Sequence, residues 1–369
     1  MLVKTLYGLK QSGCKWNIEF DTKIQAHGFT RLKSDPCAYV CHDDNGIGII
    51  TVWVDNLLLF ATTDTSMQIM KQDICSQWET TNLGEPTKIV GIEITLQDRT
   101  VMISQQQYIE NILKKEGLEC ANSVSTPLDQ NVPIEPNPEG NEGNRSNAYV
   151  SLLGELQFLT NASWPDITFV VNRLAAYTVN PSLQHTSVLK RVLRYLAGTK
   201  SYGITYGDTR GHLDTFHGYA DAAWANQDEQ KSTSGYVFLS CGGAITWKSK
   251  KQTITAQSST EAEYIALSEA SREACWLRSL HFELGFPQTR PSLIKCDNEG
   301  AIAMVKNSQF HQRSKHIDIK WHLIKDKIKE NQVHVESCRD HEQTADILTK
   351  PIPRAKHTQH VKEMALAPA

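Results

Sequence analysis

The sequence predicts an α/β protein: a mixed sheet flanked by helices at the C-terminal end, preceded by a strand-rich region and a helical one. Three observations carry this. From Leu213 onward, strand-like runs give way to one long helical pattern and then to alternating strands and helices, an order that suits a mixed sheet covered by helices. Between Tyr149 and Tyr206 the apolar residues recur with helical spacing. Between Pro127 and Asn147 the chain reads "PLDQNVPIEPNPEGNEGNRSN", too rich in Pro, Asn, Gly and Glu to bury a core, so it reads as a linker.

Taken in order, residues 15–27 form a helical stretch, strands follow around 37–60 and 87–103, and a helix covers 105–116. Within the first strand group, "TVWVDNLLLF" sets two apolar runs around Asp55-Asn56, the pattern of a hairpin with its polar groups at the tip. Such apolar flanks predict a hairpin inside a core. In "SVLKRVLRYLAG", Val188, Val192, Tyr195 and Leu196 share a helix face that Gly198 would terminate. Strands at 213–220, 234–247 and 252–257 precede a long helix at 260–284. A strand-helix unit at 292–307, a helix at 314–330, a strand at 332–338 and a short last helix complete the series. The expected divisions are 1–128, a linker at 129–147, a helical segment at 148–210, and an α/β domain at 211–369 that folds alone.

Composition narrows the function classes. The 369 residues are 40% hydrophobic and 21% charged, ordinary for a globular chain, and length alone suggests two or three domains. A net charge of -3 means that any nucleic-acid surface must be local. Runs such as "IGIITVWV" are strand-sized, too short to span a bilayer, and "MLVKTLYGLK" lacks the apolar centre of a signal peptide. Nine cysteines without a CxxC pair point to free thiols in a reducing compartment, hence a cytoplasmic or nuclear location. Cys37 and Cys41 have the spacing of zinc ligands but no second pair.

Four acids of the C-terminal third sit at informative places. Asp221, in "FHGYADAAWA", falls in a strand, where acids are disfavoured; a strand-end turn would also explain it. In "SSTEAEYIALSEASREACWL", Ser258 and Glu261 have capping-box spacing, and counting on from Glu261 gives Ile265, Ser268 and Arg272, a mostly wet face. Counting from Glu263 gives Ala266, Leu267, Ala270, Ala274 and Leu277, so Glu263 faces the sheet, where a bare carboxylate is costly unless paired or metal-bound. Asp297 lies at a strand end and a helix start, where N-capping explains it as well as catalysis does. Asp346 opens "TADILTKPI", a short helix stopped by Pro351, where a dipole-favoured surface acid is the ordinary expectation. Together the four could converge on two divalent cations of the kind that activate water against a phosphodiester. Oxygen ligands favour magnesium.

The segments "LYGLKQSGCKW", "WVDNLLLFA", "WPDITFVVNRLA", "LRYLAGT", "YADAAWA", "STSGYVFL", "SSTEAEYIAL", "CDNEGAIAMVKN", "KHIDIKWHLIKDKI" and "ADILTKP" occur here in that order. In this the chain resembles copia-type LTR-retrotransposon Pol polyproteins over nearly its whole length: the end of the reverse transcriptase, a helical thumb or connection, and the ribonuclease H domain. The resemblance implies a ribonuclease H-like sheet in which Asp221, Glu263, Asp297 and Asp346 hold two Mg2+ ions, with Mn2+ able to substitute. It implies cleavage of the RNA strand of an RNA–DNA hybrid, leaving a 3′-hydroxyl and a 5′-phosphate.

The same resemblance places residues 1–128 as a truncated palm. The hairpin there usually reads Tyr-Val-Asp-Asp; this chain has Trp53 for the Tyr and Asn56 for the second Asp, so Asp55 alone remains, and a further catalytic Asp would lie upstream of the sequence. DNA synthesis by this chain is therefore expected to be absent. The ribonuclease H motifs depart from the family at Ala223, where a second Asp is common. His341 is a candidate for product release, or a solvated loop residue. His316 reads as structural or substrate-facing. Nucleic-acid contact is expected from Lys248, Lys250 and Lys251 and from Arg313, Lys315 and Lys320, for which a solvated face is the competing explanation. Other Pol or Gag products are candidate partners, and no membrane association is expected. The alternative is a non-catalytic nucleic-acid-binding remnant of a decayed element.

Overall fold

The structure, a computed structural model, describes residues 8–137, 147–207, 215–306 and 323–368. The chain forms two compact units, one from Met1–Pro86 and Trp276–Thr289, the other from Thr87–Cys275 and Arg290–Ala369.

The first unit begins with helix α1 (Ser12–Ala26), whose Phe20 and Ile24 are buried. Strands β1 (Thr30–Arg31), β2 (Ala38–Asp43), β3 (Gly46–Trp53) and β4 (Asn56–Ala61) form one antiparallel sheet in that order. Helix α2 (Asp64–Gln77), which the sequence pattern does not announce, starts where the Thr63 hydroxyl accepts the Ser66 N–H and buries Met70 and Ile74. The hairpin expected inside a core is exposed at its tip. Trp53 pairs with Asn56 across a Val54-Asp55 turn, and Trp53 and Val54 are each 58% exposed. Gly48, Ile50 and Val52 on one face of β3 are buried, while Ile47 and Ile49 on the other are half-buried against Leu32, Ala38 and Val40.

The second unit holds the remaining sheets. Strands β5 (Lys88–Ile89), β6 (Ile92–Gln97) and β7 (Thr100–Ser104) lead into α3 (Gln106–Lys115), which buries Ile109, Ile112 and Leu113. Helices α4 (Asn147–Ala162), α5 (Thr168–Ala175) and α6 (Leu183–Thr199) follow, then β8 (Tyr202–Tyr206). Helix α6 buries Val188, Val192, Tyr195 and Leu196 on one face. Gly198 does not cap it: the helix runs to Thr199, and a Cβ at Gly198 would lie 2.7 Å from Ser123 Cβ, so the glycine permits close chain approach.

After β9 (His217–Ala223), β10 (Thr233–Ser240) and β11 (Gly243–Lys251) comes the long helix α7 (Ser259–Glu283), whose turns from Trp276 group with the first unit. The strand expected at 252–257 is a loop, tied by Gln252 Nε2 to Ser234 Oγ and the Ala262 carbonyl. Strand β12 (Ser292–Cys296), α8 (Glu299–Lys306), α9 (Leu323–Lys329) and β13 (Val333–Ser337) complete a mixed sheet ordered β11-β10-β9-β12-β13. In it β9, β10 and β11 are antiparallel while β12 runs parallel to β9 and β13. This is the helix-flanked mixed sheet that the sequence predicts. The helix expected at 314–330 is described from Leu323 only.

Helix α10 (Arg354–Glu363) and β14 (Leu366–Pro368), both unanticipated, close the other sheet in the order β14-β8-β7-β6-β5. One core runs through this unit from Ile109 through Leu156, Val192 and Val237 to Leu348 and Leu366. The compact division therefore departs from the boundaries at 128 and 211, and residues 211–369 share strands and core with what precedes them. Nor is the first part of 129–147 a free linker. Ile134 is buried, and the carbonyls of Pro133, Ile134 and Glu135 lie 2.7–2.9 Å from Gln184, Arg173 and His185 nitrogens respectively. Residues 138–146 of it lie outside the described residues.

Candidate metal centre

Each of the four acids is delivered by a different element of the second unit. Asp221 lies within β9, opposite Gly235 of β10, and is 1% exposed, so it is no strand-end turn residue. Gly235 leaves room for the turn that carries Asp346: a Cβ there would lie 2.7 Å from Thr349 Cγ2 and 2.9 Å from Leu348 Cβ. Glu263 occupies the second turn of α7, 5% exposed, in line with the buried Ala266, Leu267, Ala270, Ala274 and Leu277. Asp297 follows β12 directly and is half-buried; the neighbouring Asn298 caps α8, its Oδ1 accepting the Ala301 N–H at 2.9 Å. Asp346 sits in a 3-10 turn, Thr344–Leu348, and is fully buried, the opposite of a surface acid.

These elements bring the acids together in two overlapping groups. Carboxylate oxygens of Asp221, Asp297 and Asp346 all lie within 4.8 Å of one another, and so do ligand atoms of Glu263, Cys296 and Asp297. Asp297 belongs to both. Burial and then the charge of Asp346 push the Asp221 carboxyl up to about 7, with Lys350 pulling the other way. Burial, Asp221 and Asp297 raise Glu263 well above the usual carboxylate range, and burial with Asp346 raises Asp297. Like charges crowded out of water favour a bound cation. The donor set, mostly hard carboxylate oxygens with one face half-open at Asp297, fits divalent magnesium or manganese.

Glu261 is the capping residue of α7, as its spacing indicates. Its backbone N–H donates to Ser258 Oγ at 3.2 Å and its carboxylate accepts the Gln257 N–H at 2.9 Å. Its face is dry at first, however: Glu261 is 5% exposed and Ile265 and Ser268 are fully buried, and Arg272 further along that face is exposed.

Sequence reasoning overlooked the groups that hold the acids. Thr349 Oγ1 donates to Asp221 Oδ2, and Lys350 Nζ lies 2.7 Å from Asp346 Oδ1. Lys356 Nζ pairs with Asp346 Oδ2 and, at 3.0 Å, with Asp340. The fully buried Gln343 donates to the Ala220 carbonyl at 3.0 Å, beside Asp221, and its side chain favours the ionised form of Asp297. Cys296 Sγ lies 3.8 Å from Glu263 Oε2, and burial followed by that carboxylate pushes its thiol up. The available signal was spacing: Gln343, Thr349 and Lys350 stand three and four residues from Asp346.

Comparison with known proteins places the chain in a family. The putative transposon Ty5-1 protein of Saccharomyces cerevisiae is 31% identical over 271 residues, covering 73% of this chain and 87% of that protein. The chain belongs to the retrovirus-related Pol polyproteins of transposons. The Pol polyprotein of transposon TNT 1-94 from Nicotiana tabacum is 34% identical over 364 residues, or 96% of this chain. The chain spans about a quarter of the length of that polyprotein and of two from Arabidopsis thaliana. A family model described as reverse transcriptase (RNA-dependent DNA polymerase) matches residues 1–130. Among solved structures, a foamy viral protease-reverse transcriptase in complex with an RNA/DNA hybrid aligns over 94% of this chain and 40% of that one, at 12% identity and a TM-score of 0.48.

The other candidate residues of this Pol segment are dispersed. Asp55 and Asn56 stand exposed at the hairpin tip. Lys248 and Lys250 are exposed on one side of the edge strand β11, opposite Tyr236 and Ser234, and Lys251 is half-buried at its end. His341 is exposed in a 3-10 turn, 3.9 Å from the Glu342 carboxylate. Arg313, Lys315, His316 and Lys320 lie outside the described residues. No helix among the described residues is long and apolar enough to cross a membrane.

Proposed function

We propose that this Pol segment is a metal-dependent endoribonuclease that cuts the RNA strand of RNA–DNA hybrids. The observation that supports it most is the pair of overlapping ligand groups that share Asp297, one of Asp221, Asp297 and Asp346 and one of Glu263, Cys296 and Asp297. Asp221, Glu263, Asp297 and Asp346 would hold two divalent cations. When bound, such ions supply a nucleophilic water and charge stabilisation for the departing oxygen. The chain's own groups prepare that centre: Gln343 ties the Asp346 turn to β9 beside Asp221, Thr349 orients Asp221, and Lys356 holds Asp346. Hydrolysis breaks the P–O3′ bond and leaves a 3′-hydroxyl and a 5′-phosphate. Lys248 and Lys250, exposed on an edge strand, suit backbone phosphate rather than base contact.

DNA synthesis is not assigned to the hairpin tip. Asp55 beside the neutral Asn56 offers one carboxylate there, too little charge for two divalent cations and a triphosphate.

The test is single-turnover cleavage of an end-labelled RNA–DNA hybrid by the full chain. Magnesium or manganese should support cutting of the RNA strand alone, a chelator should abolish it, and Asp221→Asn should lose on the order of a thousandfold in rate. Hybrid binding without cleavage under every metal condition would sink the nuclease and leave the non-catalytic binding remnant.

A further inference from the structure

A lysine stands between two of the carboxylates. Lys350 Nζ is 2.7 Å from Asp346 Oδ1 and 3.9 Å from Asp221 Oδ2, while Lys356 holds the other Asp346 oxygen. The Asp221 and Asp346 side chains are 2% and 0% exposed, but Lys350 is 38% exposed. Its ammonium thus reaches from the surface into the cluster at the end of a flexible four-carbon stem. A divalent ion shared by Asp221 and Asp346 would sit about 2.1 Å from each oxygen, inside the space that this ammonium closes. Two cations cannot share that space.

We propose that Lys350 is an internal competitor for the metal: it clamps Asp221 and Asp346 in the metal-free protein and swings to solvent before they load. This rests on the reading of the four acids as a metal centre. Three features support it. The lysine has a route out, since it is the most exposed of the groups in contact with Asp221 and Asp346. Asp346 would not be stripped when Lys350 leaves, because Lys356 stays anchored between Asp346 and Asp340. The two ammoniums of Lys350 and Lys356 also fall short of balancing four carboxylates, which leaves a more highly charged ion as the better counter-ion in the place of Lys350 once it is available. Lys350 therefore lets the site fold without metal, at the expense of metal affinity.

The experiment measures divalent binding by the full chain without nucleic acid, using Mn2+ by electron paramagnetic resonance and Mg2+ by calorimetry. Lys350→Met should bind either ion about tenfold more tightly or better, because the competitor is gone. It should also melt earlier than wild type in chelator and regain more on adding Mg2+. Lys350→Arg, which keeps the charge, should behave like wild type. A second measurement needs no variant: reductive methylation of Lys350, read by mass spectrometry, should speed up several-fold on adding Mg2+, against unchanged labelling of Lys248. Unchanged or weaker binding by Lys350→Met, or metal that leaves Lys350 labelling unaltered, overturns the competitor role while Asp221→Asn still reports the metal centre. Absence of binding in wild type and Lys350→Met alike overturns both readings.

Discussion

Glu261 and Glu263 are two residues apart, equally buried, and held by different things. Glu261 is engaged by the backbone at the start of α7, whereas Glu263 faces Asp221, Cys296 and Asp297. Glu263→Gln keeps size and removes charge, so it should abolish hybrid cleavage, a loss on the order of a thousandfold or more in rate. The same change should leave the metal-free fold intact or more stable, since burial and like charge already penalise the ionised form. Glu261→Gln can still accept the Gln257 N–H, so it should keep most activity and cost about 1 kcal/mol of stability or less. Single-turnover rates and chemical melts of both variants decide between them; a dead Glu261→Gln beside an active Glu263→Gln would require the site to be redrawn. At this scale the sequence was readable where a pattern forces a side chain inward. Alanines at three- and four-residue spacing placed Glu263, and the strand around Asp221 made that acid conspicuous. Lys350, Thr349 and Gln343 were not readable, because their meaning comes from what the chain folds against.

Between elements, a second buried polar cluster ties the helical segment to the C-terminal helix. The Tyr195 hydroxyl of α6 donates to Asp166 in the 3-10 turn Pro165–Ile167, and His357 of α10 lies 4.0 Å from the same carboxylate. Burial pushes Asp166 up to about 6, with Tyr195 opposing, and burial pulls His357 down to about 4. The signs oppose. A raised carboxyl contributes stability below its unfolded value near 3.8 and loses it as pH rises through about 6. A depressed histidine contributes stability above 6.5 and loses it as pH falls through about 4. In wild type the two slopes nearly cancel between those values. Measured as the difference from wild type, which cancels the raised carboxyls of the four-acid cluster, Asp166→Asn should therefore gain stability from pH 4.5 to 6.5, and His357→Gln should lose it. Each swing should be about 2–3 kcal/mol, because folding moves each group's midpoint by roughly two on the pH scale. Urea melts at the two pH values check this, and parallel profiles for both variants would rule it out. The "WPDI" and "LRYLAGT" segments read as helical in sequence; that their Asp and Tyr meet a histidine far along the chain is a tertiary fact without local periodicity.

For the whole molecule, the boundary at 211 marks a change of pattern and not a border of the fold. Strand and helix order after Leu213 was legible because each element carries its own period, and it suggested a domain complete in itself. The structure joins that region to its predecessors in three ways. Strand β14 at the C-terminus pairs with β8, which pairs with β7, so the last residues complete a sheet begun at β5. Trp247 donates from its indole to the Thr160 carbonyl of α4 at 2.7 Å, and Asn172 of α5 donates to the Ser249 carbonyl at 2.9 Å. Tyr219, Val237, Leu239, Ile347 and Leu348 share one apolar core with Leu156, Leu159, Trp164 and Val192. Cutting at 211 would expose that shared face, and each large apolar side chain laid open costs about 1.5–3 kcal/mol. A handful of such losses exceeds the whole stability of an ordinary domain, about 5–15 kcal/mol. A fragment of 211–369 should therefore melt without cooperativity or fail to stay soluble. Restoring residues 87–210 to it should bring back a single transition and, with magnesium, hybrid cleavage. Calorimetry of the two proteins is the measurement, and a sharp, reversible melt of 211–369 alone would show that the sequence boundary was the physical one after all.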